Sequence, residues 1–120
     1  MPTTRTYRAA DGLKLVADVL PGSDQLLAPV ILVHGGGQNR HAWAKTAAAI
    51  HARGHTVVAY DSRGHGDSDW DPAGRYDTEH FTSDLLAIRE HVCHNRRAVA
   101  VGASMGGMAI LHAHLAAPTN

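Results

Sequence analysis

The chain has 120 residues and a mass of 12.8 kDa, which is enough for one domain, residues 1–120, and not comfortably for two. Its 11 basic and 11 acidic residues give a formal net charge of zero, which argues against a nucleic-acid-binding protein or a polybasic membrane surface. The chain has 44% apolar residues and one cysteine, and none of its apolar runs approaches the length of a membrane span, which is about 20 residues. The sequence therefore predicts a cytosolic globular protein.

The N-terminal segment is predicted to form an antiparallel hairpin. Asp11-Gly12 is a strong signal for a two-residue hairpin turn. Residues 4–8, which precede this turn, are polar and compatible with a β-strand. Residues 13–20 after it alternate between the two faces of a half-buried strand.

The remaining elements alternate between buried strands and helices. Short apolar runs of the kind found in parallel sheets occupy residues 29–33, 56–60 and 98–101. Helical spacing of apolar residues follows each run, over about 41–53, 78–94 and 105–116. This order predicts an α/β fold with a mostly parallel sheet and helices on both faces.

The third strand leads into a G-x-S-x-G pattern, Gly102-Ala103-Ser104-Met105-Gly106. Between a strand and a helix, this pattern indicates a nucleophile elbow, a tight turn that strains the backbone at the serine. Gly102 and Gly106 would relieve the crowding, and the Ser104 hydroxyl would stand at the helix N-terminus. The sequence therefore predicts Ser104 as a nucleophile.

The first buried strand ends in His34-Gly35-Gly36-Gly37. If this strand neighbours the Ser104 strand, a backbone N–H of the loop can stabilise an oxyanion, and we choose Gly36, with Gly37 as the fallback. The second donor would be the N–H of Met105. The alternative is a strand-to-helix loop that needs glycines only for turning.

Three segments together resemble the α/β-hydrolase superfamily, over nearly the whole chain and in the right order. They are residues 34–43, the Asp61-Ser62-Arg63-Gly64-His65-Gly66-Asp67-Ser68 run and residues 102–107. The chain is most similar to the esterase, perhydrolase and epoxide-hydrolase-like branch. The resemblance implies a structural role for Arg63 and His65 and no cofactor. It also implies acyl transfer on a small carboxylic ester, because the epoxide hydrolases of that branch carry aspartate where this chain has Ser104.

The same resemblance implies an acid and a histidine after the nucleophile, and neither has a matching position. Only 16 residues follow Ser104, without Asp or Glu, and His112 and His114 lie within the helix after the elbow. His34 or His65 could substitute as the base, or could merely tie down loops by hydrogen bonds. His91 and His94 share a helix face but make a poor metal site without a carboxylate.

We therefore expect these residues to be the N-terminal half of a serine hydrolase, weak or inactive in isolation. In the full fold a later strand would flank residues 98–101, which here would form an apolar edge that invites self-association. Two alternatives stay open. One is a non-catalytic half-protein that assembles through that edge, and the other is a perhydrolase or lyase using the same elbow.

Overall fold

The computed structural model describes residues 2–94 and 96–116, beginning with the predicted hairpin. Strands β1 (Thr3–Arg8) and β2 (Lys14–Leu20) pair antiparallel. The connection between them is longer than the two residues predicted, because the N–H of Gly12 bonds to the carbonyl of Ala9 at 2.9 Å. Asp11 and Gly12 therefore form the second half of a four-residue turn, with Gly12 at a φ of 92° that suits glycine.

Over the ranges that the structure describes, five strands form one mixed sheet in the order β1-β2-β4-β3-β5. Strand β3 (Val30–Val33) runs parallel to both β4 (Val57–Tyr60) and β5 (Val99–Gly102), while β2 pairs antiparallel with β4. The mostly parallel sheet predicted after the N-terminal hairpin is confirmed for β3, β4 and β5, and the strand before the glycine loop does neighbour the strand before Ser104.

The described residues contain three α-helices, which cover the strands: α1 (Ala44–His51), α2 (Thr78–Cys93) and α3 (Met105–Ala116). The prediction that the first helix begins at residue 41 is wrong. Residues Arg40–Trp43 form a 3₁₀ turn instead, in which the side chain of Asn39 accepts the N–H of His41 at 3.0 Å. In the part of the chain that the structure describes, no helix is long and apolar enough to cross a bilayer.

The sheet is covered on both faces, as predicted. On one face, helices α2 and α3 pack through a cluster that includes Leu15, Ile31, Val58, Leu85, Ile88 and Ala109. On the other, α1 packs through Val30, Leu32, Ala47, Val57 and Ala59. Because successive strand residues point to opposite faces, the unbroken apolar runs of β3 and β4 supply both clusters, which explains why neither strand alternates with polar residues.

The two edges of the sheet differ in character. Strand β1 presents a run of threonines and arginines, the kind of polar edge that resists pairing with other chains. Among the described residues, strand β5 pairs with β3 alone, and its Val99 and Val101 are 48% and 37% exposed. The open edge beside Ser104 is therefore apolar.

Candidate active site

Ser104 lies on the turn between β5 and α3, at the carboxyl end of the parallel strands. Its φ is 51°, a left-handed conformation that a residue with a side chain rarely adopts. The strain predicted from the motif is thus present. The turn is held by hydrogen bonds on both sides, from the N–H of Ala103 to Val33 O at 3.3 Å and from Met108 to Ser104 O at 3.0 Å. Ser104 itself is exposed.

The glycines that flank Ser104 permit two close backbone approaches. A Cβ at Gly102 would lie 2.7 Å from the carbonyl carbon of Gly106, and one at Gly106 would lie 2.3 Å from the carbonyl oxygen of Val33. Side chains do not fit at such distances. At Gly107, by contrast, the nearest atom would be 3.7 Å away. Gly106 therefore sets how closely α3 sits against β3.

The glycine loop after β3 lies directly against the Ser104 turn. A Cβ at Gly35 would be 3.3 Å from the carbonyl oxygen of Ala103, and one at Gly36 would be 3.9 Å from the sulfur of Met105. The pairing of β3 with β5 produces this contact, because the carboxyl ends of parallel neighbours reach the same edge of the sheet.

The amides of this loop have different partners. The N–H of Gly35 donates to the side-chain oxygen of Gln38 at 2.9 Å, and that of Gly37 donates to Nε2 of His65 at 3.1 Å. Met105 is the first residue of α3, so its N–H has no partner within the helix. Sequence reasoning missed Gln38, and the only hint was its position directly after the glycine run.

His34 and His65 both have their two ring nitrogens engaged. In His34, which is fully buried, Nε2 accepts the N–H of Ser62 at 2.9 Å and Nδ1 contacts Gly35 O at 2.7 Å. Burial lowers the pKa of His34 below its ordinary 6.5 and so favours the neutral ring. In His65, Nδ1 contacts the carbonyl of Arg63 at 3.0 Å while Nε2 accepts from Gly37. Neither ring has a nitrogen free to take a proton from Ser104.

Arg63 is the centre of a buried ionic cluster. Its side chain is 1% exposed and donates through Nε and Nη2 to both oxygens of Asp84, each at 2.7 Å. Nη1 lies 2.9 Å from Asp11 in the hairpin turn and 3.3 Å from Asp71. The hydrogen bond with Asp84 raises the pKa of Arg63 above its ordinary value, so the guanidinium stays charged. Sequence reasoning placed Asp11 in the hairpin turn but assigned none of the three aspartates as a partner of Arg63, because nothing in their local sequence marks that contact.

The segment from Asp61 to Ser68 is tied to itself and to neighbouring elements. The fully buried Asp61 accepts from the backbone N–H of Arg40 at 2.6 Å and of Asp67 at 2.9 Å. A Cβ at Gly66 would lie 2.3 Å from the Asp61 carboxylate. The Ser68 hydroxyl donates to Asp61 O at 2.7 Å. These contacts fix the loop that carries Arg63 and His65.

The other histidines weighed from the sequence lie elsewhere. His112 and His114 are exposed on α3, and His114 borders an apolar cavity of about 230 Å³ between α2 and α3. His91 stacks on Tyr7 at the end of α2, with ring centroids 5.2 Å apart. Within residues 2–94 and 96–116, no three His, Cys, Asp or Glu side chains gather into a group that could hold a metal ion.

The comparisons with known proteins agree with one another on the fold. The family model described as alpha/beta hydrolase fold matches residues 28–120. An alpha/beta hydrolase from Novosphingobium aromaticivorans is similar at 28% identity and a TM-score of 0.87, covering 98% of this chain and 40% of that one. An esterase from Exiguobacterium antarcticum matches at 27% identity and a TM-score of 0.83, covering 94% of this chain and 40% of that one.

Epoxide hydrolase A from Mycobacterium thermoresistibile matches at 25% identity and a TM-score of 0.86, covering 98% of this chain and 36% of that one. A search of curated proteins finds no match. The chain thus spans well under half the length of these solved structures and corresponds to an N-terminal part of their fold. It belongs to the α/β-hydrolase fold family.

Proposed function

We propose that the chain supplies the nucleophile and the oxyanion hole of a serine hydrolase that acts on a small carboxylic ester or a related acyl substrate. The observation that carries this proposal is the strained, exposed Ser104, held by a turn between β5 and α3 and packed beside the glycine loop. Backbone strain at an exposed residue is typical of functional sites, because the surrounding fold must maintain it.

The mechanism follows from the groups around Ser104. Its Oγ attacks the acyl carbon, and the carbonyl oxygen becomes negatively charged as the tetrahedral intermediate forms. The N–H groups of Gly36 and Met105 donate to that oxygen, and the N-terminus of α3 favours the charge. The proton of Ser104 passes to a histidine that an acid orients, both from outside these 120 residues, since His34 and His65 are already hydrogen-bonded.

The identity of the nucleophile favours ester chemistry over epoxide opening. Among similar structures, one is named an esterase and another an epoxide hydrolase. A serine gives an acyl-enzyme that water hydrolyses, whereas the related epoxide hydrolases carry an aspartate there. A perhydrolase would use the same acyl-enzyme with hydrogen peroxide in place of water, so it differs in the second step only.

Covalent labelling of the purified chain tests the proposal without needing the missing base. The serine Oγ attacks the phosphorus of a fluorophosphonate and forms an O–P bond as fluoride leaves, while the hydroxyl proton passes to solvent. The phosphoryl oxygen then lies in the oxyanion hole. We expect Ser104 to be phosphonylated about 10²-fold faster than the exposed Ser23, because the oxyanion hole alone retains part of the catalytic power. Peptide mass spectrometry measures both rates in one sample.

Two variants of the glycine loop serve as a matched pair. Gly36→Ala keeps the N–H and has room for its Cβ, whose nearest neighbour would be 3.9 Å away, so labelling should change little. Gly36→Pro removes the N–H and should slow labelling of Ser104 by about 10²-fold. Equal labelling of Ser104 and Ser23 in the unmodified chain would refute the proposal.

The exposed edge of the sheet supports a second proposal, that the isolated chain self-associates through β5. Val99 and Val101 are 48% and 37% exposed on a strand edge that has no partner strand among residues 2–94 and 96–116, the arrangement that templates strand pairing. Sedimentation should show a concentration-dependent oligomer that Val101→Lys weakens, whereas Thr4→Lys on the polar edge β1 should leave it intact. A monomer at all accessible concentrations would count against this proposal.

A further inference from the structure

The loop of residues 35–38 is a closed turn whose amides are largely committed. The N–H of Gln38 bonds back to Gly35 O at 3.1 Å, and the Gln38 side chain accepts the N–H of Gly35. The N–H of Gly37 donates to Nε2 of His65. Across the described ranges 2–94 and 96–116, the N–H of Gly36 has no hydrogen-bond partner. One amide of the three glycines is thus left open.

The His65 ring is itself fixed by its surroundings. Since Nε2 accepts from Gly37, the hydrogen must reside on Nδ1, which donates to the carbonyl of Arg63. Arg63 cannot shift, because its guanidinium is anchored in the buried cluster around Asp84. The ring also lies against His34, at 5.0 Å between centroids, and edge-on to Phe81 at 6.4 Å.

We propose that His65 is a positioning residue for the reaction of Ser104. Through Nε2 it holds the N–H of Gly37 away from the reacting centre and locks the loop so that Gly36 is the loop's oxyanion donor. This inference rests on the proposed serine-hydrolase function. The inference adds an indirect role for the His65 ring, which acts on the reaction through Gly37.

A locked loop matters because three consecutive glycines have unusual conformational freedom. Without a fixed contact, the loop would exchange among conformations that direct different amides toward the oxyanion. The loop would then have to become ordered each time Ser104 attacks a substrate, at a cost in conformational entropy. Preorganised donors avoid that cost at the moment when charge develops. A histidine that is hydrogen-bonded on both sides provides such a contact from a neighbouring strand end.

Nuclear magnetic resonance of the purified chain tests the positioning contact. Imidazole nitrogen shifts should report the Nδ1–H tautomer for His65, opposite to the Nε2–H tautomer that free histidine prefers. Amide hydrogen exchange should show Gly35 and Gly37 protected and Gly36 unprotected. An Nε2–H tautomer at His65, or a protected Gly36, would overturn the proposal.

Three substitutions at His65 separate its contacts. His65→Phe keeps a ring against Phe81 but has no acceptor, and His65→Asn retains only the donor toward Arg63. Both should speed exchange of the Gly37 amide about five- to tenfold. His65→Gln carries an oxygen near the position of Nε2 and should restore protection to within about threefold. Equal exchange in all three variants would contradict the assignment.

Phosphonylation then connects the contact to chemistry. His65→Phe and His65→Asn should label Ser104 about tenfold more slowly than the unmodified chain, and His65→Gln should recover most of that loss. If the unmodified chain labels Ser104 no faster than Ser23, the serine-hydrolase function fails and this inference falls with it. If labelling is fast but insensitive to His65, the function stands and only the positioning role is refuted.

Discussion

The two adjacent glycines at the start of α3 should respond in opposite ways to the same substitution. In Gly106→Ala the new methyl carbon would lie 2.3 Å from Val33 O and 2.8 Å from His34 O, both backbone atoms that cannot rotate away. Ordinary contact begins near 3.4 Å, so α3 must move away from β3 by about 1 Å. In Gly107→Ala the nearest atom would be 3.7 Å away, and nothing has to move.

The cost of that movement follows from what α3 buries. Ala109 is 2% exposed in the core cluster, and Met105, Ile110 and Ala113 pack against it. A gap of about 1 Å forfeits up to half of the dispersion energy across such contacts, so Gly106→Ala should lower the free energy of unfolding by about 2–3 kcal/mol. Gly107→Ala should raise it by up to about 1 kcal/mol, because alanine favours the helix.

Urea denaturation followed by circular dichroism measures both variants against the unmodified chain. The free energies of unfolding of the two alanine variants should differ by about 3 kcal/mol, although both variants carry the same glycine-to-alanine change at adjacent positions. If both change stability equally within about 1 kcal/mol, the close approach of α3 to β3 is not the reason for glycine at 106. Gly106→Ala should also slow phosphonylation of Ser104, since the displaced helix carries the Met105 amide.

The buried ionic cluster and the buried histidine give two further predictions. Arg63→Gln should lower the free energy of unfolding by about 3–5 kcal/mol, because it leaves the buried Asp84 carboxylate without its countercharge. The double variant Arg63→Met with Asp84→Leu should recover most of that lost stability. A loss below about 1 kcal/mol for Arg63→Gln would contradict the pairing. Because burial depresses the pKa of His34 below its ordinary 6.5, the unfolded chain binds the proton more readily, so stability is full above that pH and falls as the pH drops below it. The melting temperature should therefore fall more between about pH 7.5 and about pH 5.5 for the unmodified chain than for His34→Gln, and equal falls would exclude this contribution.

Much of the fold could be predicted from local patterns. Apolar runs of four or five residues between helical periods predicted β3, β4 and β5, and the apolar spacing of residues 81–92 matched the buried face of α2. The start of α1 could not be predicted this way. The backbone N–H of Arg40 donates to the carboxylate of Asp61, 21 positions further along the chain, and residues 40–43 form a 3₁₀ turn at this point. Helical periodicity carries no information about such a distant partner.

The turn around Ser104 was also determined locally. A strand followed by G-x-S-x-G leaves few conformations, and the positive φ of Ser104 follows from the glycines beside it. The partners of Arg63 and His65 were decided by tertiary structure alone. Asp84 is 21 residues from Arg63, and Gly37 is 28 from His65. Gly37 and His65 meet because the parallel strands β3 and β4 bring their carboxyl ends to one edge, whereas Asp84 reaches Arg63 because α2 packs against the sheet.

By itself, the sequence determined the elements, their order and the residues that permit sharp turns, because these depend on neighbours within a few positions. Tertiary structure decided which loop amide is left without a partner and which histidines are already committed to hydrogen bonds. It also decided that the edge beside Ser104 is open and apolar. Those properties depend on groups far apart in the chain, and only the packing of the sheet and helices sets their distances.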